Sequence, residues 1–204
     1  MPYAILGIIL GGRVGYIIFY DLYYYLNDPI KILYVWQGGM SFHGGLIGII
    51  FITYYFVKNK NIKLFEFTDL LAIITPIGLF LGRIANFINS ELIGTPTNLP
   101  WSVVFIKVDN IPRHPSQIYE ALLEGLLLFL IINLIFKYKK IKGYVSAIFL
   151  ILYGLFRILA EQFRLPDEHL GYILGFLSMG TILSFIMVLT GLIVFIYAKY
   201  NKQN

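Results

Sequence analysis

A chain of 204 residues with 58% hydrophobic and 13% charged residues cannot coat a water-facing surface, because soluble domains carry about 25% charge. An aromatic share of 17% excludes disorder, and the absence of cysteine excludes disulfides, thiolate metal sites and a cysteine nucleophile. The net charge of +5 would suit nucleic acid, but nine of the eleven lysines (Lys58, Lys60, Lys63, Lys137, Lys139, Lys140, Lys142, Lys199 and Lys202) flank apolar runs. That is the placement of cytoplasmic membrane anchors, not of a nucleic-acid-binding face.

A bilayer core needs about 20 mostly apolar residues per helix. Six runs qualify, at 3–25, 42–57, 67–90, 116–136, 144–164 and 173–198. The first contains Arg13 and lacks a basic start, so it is no cleavable signal peptide. Strand-type alternation is absent, which argues against a β-barrel. The expectation is an all-α, polytopic helical membrane protein. It has six transmembrane helices in a single domain, 1–204, with both termini in the cytoplasm. Segments 27–37, 91–115 and 165–172 then lie outside. The second holds Pro96, Pro100, Pro112 and Pro115 and reads as a short extracytoplasmic cap. Glycines four residues apart (Gly7, Gly11 and Gly15; Gly44 and Gly48; Gly78 and Gly82) predict close helix packing.

The informative residues are charges inside apolar runs, since a central Arg costs about 2.5–3.5 kcal/mol to insert. Arg13, Arg83 and Arg157 are in this class. Tyr153, Arg157, Glu161 and Arg164 fall at about 0°, 40°, 80° and 20° around a helix, forming one stripe. Two positive charges against one negative favour a bound anion, and the planar Arg donors match a phosphate or carboxylate. An ion network that only fixes bundle register is the other reading. Arg83 lies about 12 Å inward of Glu91, and Arg157 about 10 Å inward of Arg164. With His43, Glu120 and Glu124 near outer ends, the polar groups converge on the outer half of the bilayer. His43 beside Gly44 and Gly45 is open between capping and catalysis. His114 and His169 read as loop residues, and three scattered histidines predict no metal site.

At 82–94 the chain reads GRIANFINSELIG. This resembles the signature of the bacterial prolipoprotein diacylglyceryl transferases, as do GGRVGYIIFY, GGMSFHGGLIG, RHPSQIYEALLEG and YGLFRILAEQFRLPD in the same order. The resemblance implies an enzyme of the bacterial cytoplasmic membrane with its active site toward the outer face. Its substrates would be phosphatidylglycerol and a prolipoprotein signal peptide with a lipobox cysteine, and it would need no cofactor. It would move the diacylglyceryl group onto the cysteine thiol and release glycerol phosphate. On that resemblance His43, Arg83 and Arg157 are catalytic, the arginines as a phosphate clamp and His43 as the thiol base. Asn86, Glu91 and Gly94 position the headgroup and hold Arg83, while Tyr153, Glu161 and Arg164 form a second wall. The family has seven helices, and MPYAILG corresponds to its second span, so the first helix is expected to be absent. The alternatives are an inactive truncated transferase, a phospholipid-headgroup-binding or lipid-transport protein without chemistry, and a structural subunit whose charges pair.

Overall fold

In a computed structural model, residues 2–138, 141–166, 172–173 and 177–200 are described. The chain divides into two compact units, 1–64 and 65–204.

The first unit holds α1 (Pro2–Tyr20), α2 (Leu22–Asn27), two 3-10 turns (Pro29–Leu33 and Val35–Gln37) and α3 (Phe42–Asn59). Glycines set the approach of α1 to α3. A Cβ on Gly11 would stand 2.8 Å from the Gly48 Cα, and one on Gly15 would stand 2.6 Å from the Gly44 Cα. The order of these pairs makes the two helices antiparallel, with backbones close enough for direct van der Waals contact. The apolar run 3–25 is not one helix: Asp21 interrupts it at φ −153° and ψ 43°. Its short polar side chain favours such non-helical backbone. Arg13, buried in α1, donates to the carbonyls of Ile32 (2.9 Å), Gly38 (2.6 Å), Gly39 (3.2 Å), Lys31 (2.6 Å) and Tyr34 (3.3 Å). It also lies 5.0 Å from the Tyr25 ring centroid. This inward arginine is the hub that orders the loop 31–39.

The second unit contains α4 (Leu64–Asn89) from Phe65 onward, α5 (Ser116–Tyr138), α6 (Tyr144–Glu161) and α7 (Met179–Tyr200). A hairpin, β1 (Val103–Val104) with β2 (Pro112–Arg113), forms the segment between α4 and α5. A second hairpin, β3 (Tyr172–Ile173) with β4 (Leu177–Ser178), precedes α7. Ala72, Leu128, Ile132 and Val145 form the core between α4, α5 and α6. Gly154 against Ser184 and Val188, and Gly191 against Ala147 and Ile151, seat α7 antiparallel on α6. Gly78 and Gly82 do not share this role, as no described atom comes within 4 Å of a Cβ placed on either. They lie roughly opposite Phe80 on the helix, and Phe80 is the residue that packs on Gly125 of α5.

Asp69 of α4, buried, staples the start of α6. Its carboxylate accepts from Gly143 N–H (2.7 Å), Ser146 N–H (2.7 Å) and the Ser146 hydroxyl (2.6 Å). Asp69→Ala would leave two helix-start N–H groups without an acceptor, and a loss of about 2–3 kcal/mol is expected. A thermal unfolding midpoint equal to wild type in detergent would refute this assignment.

Among the described residues four helices are long and apolar enough to cross a membrane: Leu64–Asn89, Ser116–Tyr138, Tyr144–Glu161 and Met179–Tyr200. Their outward faces carry exposed apolar side chains such as Ile88, Leu130 and Ile193, which water would penalise and lipid accepts. The chain is a predominantly helical, multi-pass membrane protein.

Candidate functional site

Charges from three helices of the second unit meet in its interior. Arg83 on α4 contacts Glu120 (Nε to Oε2, 2.7 Å) and Glu124 (Nη2 to Oε2, 3.2 Å) on α5. Arg157 on α6 contacts the same pair through Nη1, at 2.7 Å from Glu120 Oε1 and 3.4 Å from Glu124 Oε1. Its Nη2 lies 2.7 Å from Glu161 Oε2. Arg164 comes within 3.9 Å of Glu120. Both α5 carboxylates are fully buried, whereas the Arg83 side chain keeps 15% of its surface exposed.

The stripe on α6 is therefore only part of the site. It was expected to carry a net positive charge, but Glu120 and Glu124 bring three carboxylates against three guanidiniums. Isolated charges cannot be left in a low-dielectric bundle, so each arginine is matched by acids on a facing helix. Arg164 also arrives differently from the expectation. The helix ends at Glu161, and Arg164 sits in an isolated bridge opposite Gly94.

The backbone of α5 explains how Glu120 and Glu124 share a face with Leu128 and Ile132, all fully buried. Steps of four residues drift around an α-helix, but 121–127 is a π-helical stretch. Its i→i+5 turns hold more residues, so a four-residue step stays nearer one side.

The segment after α4 is strained. Ser90 and Leu92 adopt positive φ (62° and 52°), which costs about 1–3 kcal/mol each. Between them, exposed Glu91 accepts from Asn86 Nδ2 (2.8 Å) and Asn89 Nδ2 (3.5 Å). Glu91 thus pairs with asparagines, while the described ionic partners of Arg83 are Glu120 and Glu124. A Cβ on Gly94 would fall 2.8 Å from both His114 Cβ and the Phe163 carbonyl oxygen, so no larger residue fits there. Arg113 grips Asp109 through Nε (3.2 Å to Oδ1) and Nη2 (2.5 Å to Oδ2). These bonds hold the Asp109 carboxyl below the usual carboxylate range.

Tyr153 stacks on Phe149 and packs against the α4–α5–α6 core. Glu161 accepts from the Ser178 hydroxyl at 2.8 Å, and Ser178 in turn lies 3.0 Å from the Thr181 hydroxyl. His43 is in the first turn of α3, in the other unit, and its side chain lies outside the described residues. His114 is a loop residue, as expected: its Nδ1 lies 3.2 Å from the Tyr119 hydroxyl. His169 lies outside the described residues. Sequence reasoning put Glu120 and Glu124 at the level of the site without giving them a role in it, and it did not single out Arg113, Ser116 and Gln117, which contact the strained turn. Two acids four apart inside an apolar run were a visible signal for the first pair.

Arg83 offers more than a structural pairing. Its Nε and Nη2 are engaged, and Nη1 has no partner among the described residues. A partly exposed guanidinium with donors to spare, next to a second arginine, can hold an anionic ester oxygen.

The chain matches the prolipoprotein diacylglyceryl transferase family over residues 1–197. It is 47% identical to the phosphatidylglycerol–prolipoprotein diacylglyceryl transferase of Rhodospirillum rubrum, covering 99% of this chain and 75% of that protein. The same-named enzymes of Geobacter sulfurreducens and Bordetella parapertussis are 49% and 50% identical. They cover 97% and 93% of this chain, and 76% and 72% of their own lengths. A match across nearly the whole chain, with the GRIANFINSELIG segment shaping the strained turn, places the chain in the prolipoprotein diacylglyceryl transferase family.

Proposed function

We propose that the chain transfers the diacylglyceryl group of phosphatidylglycerol to the lipobox cysteine thiol of a prolipoprotein signal peptide, with the arginine–glutamate site receiving the phosphate. The carrying observation is that Arg83 and Arg157 converge on the same two buried carboxylates, Glu120 and Glu124. The carboxylates hold the guanidiniums in fixed orientations before any lipid arrives, so stabilising the leaving phosphate requires little reorganisation.

In the reaction the thiolate sulfur attacks the diacylglyceryl carbon that bears the phosphate. A carbon–sulfur bond forms, the carbon–oxygen bond breaks, and glycerol phosphate leaves with the electron pair. The thiol belongs to the substrate, which suits a chain without cysteine. Its proton goes to a base, for which His43 is the proposed group. An unassisted thiol with pKa near 8.5 is only slightly ionised at neutral pH, so a base and a positive field both help. Asn86, Glu91 and Gly94 are proposed to position the headgroup, with Tyr153, Glu161 and Arg164 forming the opposite wall. The lysine-flanked ends support six spans in the bacterial cytoplasmic membrane with the site toward the outer face. A lipid entering sideways and a peptide emerging outward would both reach that level.

The test uses the purified chain in phosphatidylglycerol-containing micelles with a synthetic lipobox peptide. A diacylglyceryl mass gain on the peptide cysteine, matched by released glycerol phosphate, is expected. Unmodified peptide with bound phosphatidylglycerol would replace the transferase reading with headgroup binding alone.

A further inference from the structure

We propose that Arg113, Ser116 and Gln117 are positioning residues that lock the strained turn of the signature segment and thereby aim Glu91 and Asn86; this rests on the headgroup role given to those two residues above. The turn departs from ordinary backbone at Ser90 and Leu92, and nothing in a chain of non-glycine residues there would hold it unaided. Three of its carbonyls are each taken by a different side chain from one short stretch. Gln117 Nε2 donates to the Glu91 carbonyl (2.6 Å), Ser116 Oγ to the Leu92 carbonyl (3.2 Å), and Arg113 Nη1 to the Gly94 carbonyl (3.1 Å). The three donors are all buried, and two of them have no exposed surface at all. Buried donors of this kind are spent on the turn, since water cannot reach them to compete.

Backbone bonds grip the same segment from the other side. Leu165 N–H donates to the Ile93 carbonyl (3.1 Å), Thr95 N–H to the Phe163 carbonyl (2.9 Å), and His114 N–H to the Thr95 carbonyl (3.0 Å). The Glu91 side chain meanwhile remains exposed, tied among the described residues to Asn86 and Asn89. The grip falls on the main chain and leaves the carboxylate available for a ligand. Gln117 also stands three residues before Glu120 and seven before Glu124, one stripe along the start of α5. A single helix face therefore carries both the turn's anchor and the acids that orient Arg83 and Arg157. Small shifts of α5 would move the two halves of the site together.

The experiment compares Ser116→Ala and Gln117→Leu in the full chain, in phosphatidylglycerol micelles. Backbone amide exchange at 90–95 should quicken by about ten-fold while the α6–α7 interior is unchanged. The KM for phosphatidylglycerol should rise by about 10- to 100-fold with the peptide KM unaltered. A merely structural role would lower kcat with the folded fraction and leave both KM values alone. Ser116→Ala removes a single oxygen, so it keeps the test usable if Gln117→Leu does not fold. Unchanged exchange at 90–95 in either folded variant overturns the proposal, as does a loss confined to kcat. Were the wild-type chain to make no product, the transferase reading would fail, and the exchange data would still decide whether these residues lock the turn.

Discussion

Arg83→Ala is expected to lose transfer by about 100- to 1000-fold in kcat, the cost of removing a preorganised donor from a developing charge. Its thermal stability should stay close to wild type. Glu120 and Glu124 each keep a second cation, because Arg157 lies 2.7 and 3.4 Å from them. Arg83 is also more exposed than Arg157, at 15% against 9% of its side-chain surface. Arg83→Lys retains the charge but not the planar fork, and should recover only part of the rate. The measurement is initial rate on the lipobox peptide, paired with an unfolding curve of the same sample. Wild-type-level transfer by a folded Arg83→Ala protein would remove Arg83 from the phosphate clamp.

Arg157→Ala should behave differently, losing both activity and fold. Arg157 is buried and stands between Glu120, Glu124 and Glu161. Removing it takes from Glu161 its described ionic partner and leaves Glu120 and Glu124 to Arg83 alone, and a buried carboxylate left uncompensated costs about 3–5 kcal/mol. Combining Arg157→Met with Glu161→Gln removes one of those carboxylate charges and fills the space with an apolar chain. Much of the stability should return with that pair, whereas transfer should not. Equal unfolding midpoints for Arg157→Ala and wild type would mean that the network contributes nothing to the bundle. Recovery of transfer in the double variant would mean that Arg157 touches no substrate.

These two arginines also mark how far the sequence could be read. Both were visible as charges inside apolar runs, because inserting an arginine into a bilayer is costly wherever the chain folds. The 3.6-residue period placed Tyr153, Arg157 and Glu161 on one face of α6. Their partners were less legible. Glu120 and Glu124 stood in plain view in the fourth run, yet which arginine they would meet depends on how α5 packs against α4 and α6. Arg164 reached the site after the helix had ended, by bridging to Gly94. Arg13 had the same sequence signature as the other two arginines but became the anchor of a loop, through carbonyls that no residue pattern advertises.

What the sequence by itself determined is the membrane solvent, the helical class, the transferase family and the list of residues carrying charge at depth. Each follows from local composition, period or an ordered motif, which do not depend on distant packing. What only the tertiary structure decided is the charge balance of the site, the π-helical turn that keeps Glu120 and Glu124 on the buried side, and the grip of Arg113, Ser116 and Gln117 on the signature turn. Those are contacts between residues some 20 to 40 positions apart. Their energies come from matching donors to acceptors in an interior without water, and that matching exists only once the helices have met.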